Sequence, residues 1–313
     1  MKEMPYLEVP RGFPDPVFPE DNAFTADRWI LGKKLFYSKA LSRDESISCA
    51  HCHNQQLGFA DDVAVSLGVD GLPGTRNAST LTNVAYQPYF TSEGGVPTLE
   101  MQIAVPVQEH NEFDFNMVEI AERLQGRSEW NEMSQDAYGR NIDPFVITRA
   151  LACFERSLLS GNSPYDQQTY QGIAHALTEE QERGMEIFEG AGMCNQCHQG
   201  FNFSNYQFEN NGLYDVYADS GRYRLTHLEE DIARFKVPTL RNVEYSAPYM
   251  HNGSLETLED VVEHYSTGIK NHMNKSPMLE NLNLSAEQKS DLVAFLKALS
   301  DEDFITNIKF REE

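Results

Sequence analysis

Apolar residues recur at the spacing of an α-helix in several stretches of this chain. In the stretch from Leu255 to Tyr265, residues 258, 261, 262 and 265 fall at positions i, i+3, i+4 and i+7, which predicts a helix over 255–265 with Tyr265 on its buried face. Two pairs typical of a capping box, Thr178 with Gln181 and Ser285 with Gln288, predict the starts of two more helices. Alternating strand patterns are scarce, and we therefore predict a mainly α fold with little strand.

Long connections rich in Pro, Gly and Asn separate the helical stretches. Two of them cover residues 68–88 and 202–238. Loops of that length in compact domains usually have a function, and a large bound cofactor would give them a surface to pack on. A chain of 313 residues can bury a core that encloses such a cofactor, and its length fits two domains.

The charge of the chain limits its partners. Twenty-five basic residues face 48 acidic ones, for a formal net charge of −23. No basic block offsets this charge, which argues against a nucleic acid or an anionic membrane and favours a basic protein partner. No apolar run approaches the roughly 20 residues of a transmembrane helix. The start, residues 1–5, lacks the apolar stretch of a signal peptide, so we expect any export signal to have been removed or to lie outside this sequence.

A short pattern of cysteine and histidine occurs twice. Residues 49–53 and 194–198 both read Cys-x-x-Cys-His, and the two copies start 145 residues apart. A similar amphipathic segment precedes each copy, at residues 32–36 and 184–188. We interpret this repetition as an old duplication, with one cofactor in each half.

The repeated pattern is that of c-type haem attachment. Two thiols form thioethers with the haem vinyl groups, and the adjacent histidine ligates the iron. A zinc site would need a further Cys or His pair close to each motif, and a thioredoxin-like dithiol would not need the trailing histidine twice. The pattern therefore predicts two covalently bound haem c groups. Their attachment residues and iron ligands are Cys49, Cys52 and His53 in the first half and Cys194, Cys197 and His198 in the second.

Three further residues could take part in such chemistry. The fifth cysteine, Cys153, lies in an apolar helical stretch and is predicted to be a buried, inert thiol, and five cysteines in a chain of this size do not form a disulfide scaffold. His51 is predicted to be an exposed spacer within the first motif. Tyr265, on its helical face, is either a core tyrosine with a satisfied hydroxyl or a phenolate ligand of the second haem.

Further segments along nearly the whole chain carry a family resemblance. They are residues 31–36, 41–42, 48–53, 76–78, 83–86, 162–166, 235–242 and 247–254, together with the second haem motif. With these segments, the chain resembles the bacterial di-haem cytochrome c peroxidase family, which includes the MauG-type enzymes that oxidise residues of a partner protein. The resemblance implies two cytochrome c-like haem domains, a peroxidatic one at residues 1–165 and an electron-transfer one at 166–313.

The resemblance implies that the first haem reacts with hydrogen peroxide. In the family, a carboxylate lies six residues after a proline, which lies four after a glutamine, and Gln102, Pro106 and Glu112 match that spacing. A carboxylate over an open ferric iron can take a proton from peroxide and return it to the leaving oxygen. We therefore predict that Glu112 is catalytic, with Gln102 beside it, rather than a solvated glutamate beside Glu109.

The second haem resembles the electron-relay site of the family. Its distal ligand lies fourteen residues after the position of His251, which is Tyr265 in this chain. Other peroxidases of the family carry methionine there, whereas MauG-type enzymes carry tyrosine. A phenolate stabilises ferric and higher oxidation states, and a thioether favours ferrous iron. Met250, Met273 and Met278 are the alternative ligands.

The resemblance also implies a calcium ion between the haems. In the family, an asparagine side chain and two backbone carbonyls hold it, and the matching positions are Asn77, Ser246 and Pro248. Hard oxygen ligands are what calcium requires. Asn77 could equally be a turn residue after Gly74.

Three positions depart from the family pattern. The loop histidine that blocks the first iron in other members is Val69 here, which predicts an open first iron in the oxidised state. The tryptophan between the haems is Ser92, and neither Trp29 nor Trp130 matches its position, so fast sharing of an oxidising equivalent is not implied. The tryptophan through which MauG reaches its partner is Gly192, so that particular substrate is not supported.

Two classes of function follow. The leading hypothesis is a periplasmic di-haem peroxidase, because the resemblance implies that bacteria attach haem c to proteins of this family outside the cytoplasm. Its electrons would come from one of two donors. The acidic composition favours a small basic cytochrome. Val69 and Tyr265 favour an oxidisable side chain of a partner protein, as in a MauG-type oxidase. The alternative, a di-haem electron-transfer cytochrome, would need a further strong ligand for the first iron, and the region around Val69 offers none.

Overall fold

Helices joined by long loops make up most of the structure, a computed structural model that describes residues 6–312. The start of the chain, residues 1–5, on which the signal-peptide expectation rests, lies outside the described residues. The helices are α1 (Ala26–Tyr37), α2 (Cys49–Cys52), α3 (Leu99–Gln102), α4 (Ala104–Gln108), α5 (Met117–Gln125), α6 (Ser128–Tyr138), α7 (Pro144–Glu155), α8 (Pro164–Thr169), α9 (Glu179–Glu189), α10 (Tyr223–Thr226), α11 (Leu258–Glu263), α12 (Ala286–Lys297) and α13 (Glu302–Thr306). Between residues 6 and 312, strands β1 (Phe208–Glu209) and β2 (Phe235–Lys236) form one small antiparallel sheet, which confirms the mainly α prediction. No helix in this part of the chain is long and apolar enough to cross a membrane.

The two predicted capping boxes are present. Thr178 and Ser285 each accept a hydrogen bond from the backbone N–H of the residue three positions later, and the side chain of that residue bonds back. The stretch that ends at Tyr265 differs from the prediction. Helix α11 begins only at Leu258, after the capping residue Thr257, and a π-helical turn, His264–Gly268, follows it. Tyr265 therefore lies on a π turn, a feature frequent at functional sites.

Each half of the molecule is built on a pair of helices packed through a glycine. In the first half α1 packs on α7, and in the second α9 packs on α12. A Cβ atom on Gly32 would lie 1.9 Å from the Ala150 carbonyl oxygen, and one on Gly184 would lie 2.0 Å from that of Asp291. Because the same contact occurs in both halves, the geometry supports the duplication inferred from the haem motifs.

These two glycines give the first testable expectation. Gly32→Ala and Gly184→Ala are each expected to destabilise the protein by about 1–3 kcal/mol, since the added methyl group must push two helix backbones apart. The matched control is Gly126→Ala, because a Cβ there would lie 3.4 Å from its nearest neighbour, an ordinary contact. Denaturant unfolding of the three variants measures the difference. Equal stabilities would mean that the helix pairs tolerate a wider separation.

A second repeat joins each helix pair to a loop. Asn83 and Asn242 both have left-handed backbone angles, with φ of 56° and 60°. The N–H of Asn83 donates to the Leu158 carbonyl at 2.9 Å, and its Oδ1 accepts from Ser160 N at 2.8 Å. Asn242 repeats this pattern in the second half, with the Leu299 carbonyl at 3.1 Å and Asp301 N at 2.8 Å.

Polar side chains also connect the halves to each other. The Nδ2 atom of Asn242 donates to Ser160 Oγ at 3.0 Å, and that hydroxyl donates to Asp301 Oδ2 at 3.0 Å. The Nδ2 atom of Asn83 donates to Asn202 Oδ1 at 3.0 Å. All these residues are buried, so the hydrogen bonds are made in a low-dielectric interior and hold the halves in one arrangement.

A fully buried ion pair lies in the second half. Arg241 Nη1 is 2.5 Å from Asp166 Oδ2, and both side chains are 0% exposed. The Nε of Arg241 also donates to the Phe201 carbonyl at 2.9 Å, and its guanidinium group lies over the rings of Phe13 and Phe203. The pair therefore links helix α8 to the loop that precedes the second asparagine turn.

The first core includes residues from the far end of the chain. Phe304 and Phe310 belong to the same buried cluster as Phe36 and Phe154. Gln55, two residues after the first haem motif, donates to the carbonyls of Phe304 and Asn307 at 3.2 and 2.9 Å. The division after residue 165 stays a prediction. It falls within helix α8, and the last segment of the second half packs on the first half.

Candidate functional site

The first Cys-x-x-Cys-His motif forms one short helix and its cap. Helix α2 carries both cysteines, and the backbone N–H of His53 donates to the Cys49 carbonyl at 3.0 Å. The His53 Nδ1 atom lies 3.0 Å from the Phe59 carbonyl oxygen. A carbonyl oxygen only accepts, so Nδ1 carries the proton and Nε2 is left as the metal-binding nitrogen. This is the orientation that an axial haem ligand requires.

The second motif repeats the arrangement. Cys194–Gln196 form a 3₁₀ turn, and the His198 N–H donates to the Cys194 carbonyl at 2.8 Å. The His198 Nδ1 atom lies 3.1 Å from the Phe203 carbonyl oxygen, which sets the same tautomer as in the first motif. Two motifs far apart in sequence therefore present a histidine in the same way.

Burial governs the ionisation of both motifs. It raises the pKa of Cys49, that of Cys52 to about 11 and that of Cys194 to about 12, whereas a redox-active dithiol needs a lowered thiol pKa. Burial also lowers the pKa of His53 and of His198, which keeps both imidazoles neutral as metal ligands must be.

Neither a zinc site nor a disulfide accounts for these cysteines. Between residues 6 and 312, no group of three or more His, Cys, Asp and Glu side chains could hold a metal ion. The four motif cysteines are free, as is Cys153, which is fully buried as predicted. His51 is exposed, as predicted for a spacer. The residues present thus fit covalent haem c better than either alternative.

Glu112 lies close to the first motif. Its negative charge contributes to the raised pKa of Cys52, so the carboxylate is near that thiol. Backbone bonds fix the turn that carries it: Glu112 N donates to the Glu109 carbonyl at 3.0 Å, and Phe113 N donates to that of Pro106 at 3.1 Å. Burial first, and the neighbouring charge of Glu109 second, raise the pKa of Glu112. The proline-to-carboxylate spacing thus corresponds to one hydrogen-bonded turn.

Gln102, at the end of α3, has a free acceptor. Its Oε1 atom is buried and has no hydrogen-bond partner among the described residues. A buried amide oxygen without a partner costs free energy unless a ligand or water satisfies it. This orphaned oxygen is what we expect of a side chain that faces a bound group.

The loop at the position of the family's blocking histidine packs against the Glu112 turn. Val69 N donates to the Glu112 carbonyl at 2.9 Å, and the Val69 side chain is 1% exposed within the first core. Gly68 allows this approach, since a Cβ there would lie 2.1 Å from the Asn111 carbonyl oxygen. The loop therefore supports the turn that carries Glu112 and offers no ligand of its own at Val69.

Tyr265 lies beside the second motif. The thiols of Cys194 and Cys197 are close enough for their charges to affect its pKa, which burial raises to about 12. Met250 lies in the same region, because its Sδ atom and the Tyr265 side chain both contact Asn211. Met273 and Met278 are exposed. Of the four candidate distal ligands, Tyr265 and Met250 are the two brought together.

The proposed calcium residues lie on adjoining segments. The backbone N–H of Asn77 donates to the His251 carbonyl at 2.9 Å, which brings Asn77 to the segment that contains Ser246 and Pro248. Its Nδ2 atom donates to the Val63 and Ala64 carbonyls at 3.1 and 3.3 Å, so Oδ1 points away from those carbonyls.

The structure also locates the departures from the family pattern. The Ser92 carbonyl accepts a bond from Lys236 N at 2.7 Å, beside strand β2. A Cβ on Gly192 would lie 2.8 Å from the Ile187 carbonyl, so a larger residue there would require a shift. Trp29 and Trp130 are buried in the first core.

Sequence reasoning missed two residues near the motifs. Glu155 is buried near Cys49, and burial raises its pKa to about 8. Asn211 contacts both Tyr265 and Met250. A glutamate at the end of an apolar helix and an asparagine in a loop carry no local signal of such contacts.

Comparisons with known proteins agree with this geometry. The family described as di-haem cytochrome c peroxidase matches residues 26–174. The methylamine utilization protein MauG of Methylorubrum extorquens is 33% identical over 288 residues, which cover 91% of this chain and 81% of that protein. Cytochrome-c peroxidase IdrP1 of Pseudomonas sp. strain SCT is 34% identical over 325 residues, which cover 92% of this chain and 84% of that protein.

Solved structures show the same fold. A crystal structure of a MauG-like protein associated with microbial copper homeostasis matches with a TM-score of 0.92 and 30% identity, over 97% of this chain and 98% of that one. The di-haem peroxidase BthA of Burkholderia thailandensis shares the fold at 22% identity, with a TM-score of 0.77 over 91% of this chain and 88% of that one.

Fold and family comparisons together define a haem c oxidoreductase, and the chain carries two Cys-x-x-Cys-His motifs. More particularly, the chain belongs to the di-haem cytochrome c peroxidase family, whose relatives above include both peroxidases and MauG. It is therefore an oxidoreductase of the class that uses hydrogen peroxide as electron acceptor.

Proposed function

We propose that this protein reduces hydrogen peroxide at a haem held by Cys49, Cys52 and His53. The observation that carries the proposal is the position of Glu112, a partly buried carboxylate near Cys52 on a turn fixed by hydrogen bonds. A haem held there would supply the redox-active iron that exchanges electrons with peroxide. Glu112 takes the proton of the near peroxide oxygen and delivers it to the leaving oxygen. Gln102, whose buried Oε1 has no partner among the described residues, would accept a hydrogen bond from the bound peroxide or from a water molecule beside it.

Cys194, Cys197 and His198 would hold the second haem, with Tyr265 as a further ligand of its iron, and this group would supply electron transfer to the first site. A phenolate donor suits an iron that stores an oxidising equivalent. Val69, which stands in place of a blocking histidine, and Tyr265 support a MauG-like route of electron transfer. In that route, the electron donor is a side chain of a partner protein. The net charge of −23 supports the other donor, a small basic cytochrome. Gly192 argues against the partner that MauG itself uses.

The spectrum of the oxidised protein tests this proposal. We expect a high-spin ferric signal from the first haem, because Val69 offers no sixth ligand, and a change in that signal on addition of peroxide. An oxidised protein with only low-spin haem and no response to peroxide would instead identify a di-haem electron-transfer cytochrome.

The role of Tyr265 has its own test. Tyr265→Phe removes the ligating oxygen and keeps the ring, so we expect a changed absorption spectrum for the second haem and an unchanged one for the first. Tyr249→Phe is the matched control, since the Tyr249 hydroxyl donates to the Val243 carbonyl at 3.0 Å and Tyr249 is not a candidate ligand. If Tyr265→Phe left the second-haem spectrum unaltered, the ligand would be a methionine.

The same proposal includes a calcium ion and a periplasmic location. Asn77 Oδ1 and the carbonyls of Ser246 and Pro248 would supply hard oxygen ligands at the junction of the two halves. Support comes from the hydrogen bond that joins Asn77 to the His251 carbonyl. The periplasm is the compartment in which bacteria attach haem c to proteins of this family.

A further inference from the structure

The side chain of Asn211 lies between the two candidate ligands of the second haem. Its Nδ2 atom donates to Met250 Sδ at 3.1 Å. The same side chain lies close enough to the Tyr265 hydroxyl to lower the pKa of that phenol against the larger, opposite effect of burial. A thioether sulfur and a phenol oxygen, the two donors that could complete the coordination of the second iron, are therefore in contact with a single amide.

Hydrogen bonds fix the orientation of this amide. Asn211 Oδ1 accepts from the Leu213 N–H at 3.2 Å and from the Tyr217 hydroxyl at 3.3 Å. The Leu213 N–H also lies 2.8 Å from the Tyr217 hydroxyl oxygen, and the Tyr217 hydroxyl also lies 3.3 Å from Asn210 Oδ1. Both donors approach Asn211 on its Oδ1 side, which places the NH₂ group toward Met250; the reverse orientation would turn the oxygen toward a sulfur that has no proton to donate.

The backbone of Asn211 is tied to the same site. Its carbonyl oxygen lies 3.1 Å from His264 Nε2, and His264 is buried on the π turn directly before Tyr265. Movement of Asn211 would therefore also disturb the turn that places the phenol ring. The contacts on both sides of the residue make it a positioning element for Tyr265.

We infer that Asn211 selects the distal ligand of the second haem by holding the Met250 sulfur in an N–H···S hydrogen bond while its amide supports the phenolate oxygen of Tyr265. This inference rests on the proposed assignment of Tyr265 as that ligand. The sulfur has two lone pairs, so the hydrogen bond acts by fixing the position of the Met250 side chain, which would have to give up this bond to turn toward the iron. An N–H donor to an anionic oxygen is charge-assisted and about twice as strong as a neutral hydrogen bond.

Loss of the amide is expected to release the competing ligand. In Asn211→Leu, the side chain keeps its approximate size but has no donor, so Met250 Sδ becomes free to bind the iron. Thioether ligation favours ferrous iron. The variant should therefore acquire the near-infrared charge-transfer band of methionine-ligated ferric haem, and the reduction potential of the second haem should shift upward.

Three further variants isolate this effect. Tyr217→Phe removes the Tyr217 bond to Asn211 Oδ1 and leaves that of the Leu213 N–H, so the amide should keep its orientation and the variant should retain the wild-type spectrum. Asn211→Asp keeps both bonds to the side-chain oxygen and replaces only the donor; its readout is the spectrum alone, because a new carboxylate shifts the potential by itself. The double variant Asn211→Leu/Met250→Leu should lack the near-infrared band.

The outcomes separate this inference from the proposed function. If the wild type shows tyrosinate ligation and both Asn211→Leu and Asn211→Asp keep the wild-type spectrum, ligand selection by Asn211 is wrong and peroxide reduction at the first haem is untouched. If the near-infrared band appears in Asn211→Leu and persists in the double variant, its sulfur is not that of Met250 and the inference is also wrong. If the wild type already carries methionine ligation, the Tyr265 assignment fails together with the inference.

Discussion

Glu112→Gln is expected to slow the reaction with hydrogen peroxide by about 10²-fold or more, the usual effect of losing a general acid–base group. The amide has nearly the shape of the carboxylate but cannot take a proton from peroxide. Both haems should stay attached, because Glu112 contributes nothing to the thioether bonds. Stopped-flow absorbance of the ferric protein after mixing with peroxide measures the rate.

The pH dependence of the wild-type rate provides a second test of the role of Glu112. Glu112 accepts a proton only when it is ionised, so the rate should fall as the pH falls through its pKa, which burial and Glu109 hold above the ordinary value for glutamate. The matched control is Glu109→Gln. It removes the neighbouring charge, so it should keep the wild-type rate at neutral pH and move the fall in rate to lower pH. Wild-type rates in Glu112→Gln would remove Glu112 from the mechanism.

Asp166→Ala is expected to lower the free energy of unfolding by about 3–5 kcal/mol, because it leaves the charge of Arg241 buried without its partner. Arg241 is 1% exposed, and water cannot replace the lost carboxylate. The substitution also removes the oxygen that accepts bonds from Ser163 N at 3.0 Å and Ser163 Oγ at 2.7 Å at the start of helix α8. Denaturant unfolding of the haem-loaded protein measures the loss.

An exposed ion pair serves as the comparison for this prediction. Lys289 and Glu263 are 2.7 Å apart at the surface, and solvent screens their attraction. Glu263→Ala should therefore leave stability almost unchanged. A similar small effect for Asp166→Ala would show that the contacts of the Arg241 guanidinium with the Phe201 carbonyl are enough to compensate for the lost carboxylate.

Local sequence signals predicted much of the fold. The capping boxes at Thr178 and Ser285 place two helix starts correctly, because the bonds that define a cap join residues three positions apart. The scarcity of alternating patterns likewise predicted a mainly α chain. The predicted start of the helix at Leu255 is three residues too early, because α11 begins at Leu258. Periodicity does not distinguish a helical residue from an apolar residue shortly before the cap at Thr257.

Contacts between distant parts of the chain could not be predicted in the same way. The repeated asparagine turn depends on positive φ angles at Asn83 and Asn242 and on partners more than 50 residues away. The position of Glu112 near Cys52 was predicted through the family spacing and not through any local pattern. Asn211 could not be predicted at all, because Met250 and Tyr265 lie 39 and 54 residues further along the chain.

The packing of Phe304 and Phe310 into the first core affects the order in which the protein can mature. A nascent chain that has emerged only as far as residue 165 lacks both rings and the carbonyls that hold Gln55 beside His53. The haem motif that is synthesised first therefore receives its final surroundings last. A premature stop codon shortly before position 304 would therefore damage the surroundings of the motif at 49–53. The motif at 194–198 would be spared, although it lies much closer to the stop codon in the gene.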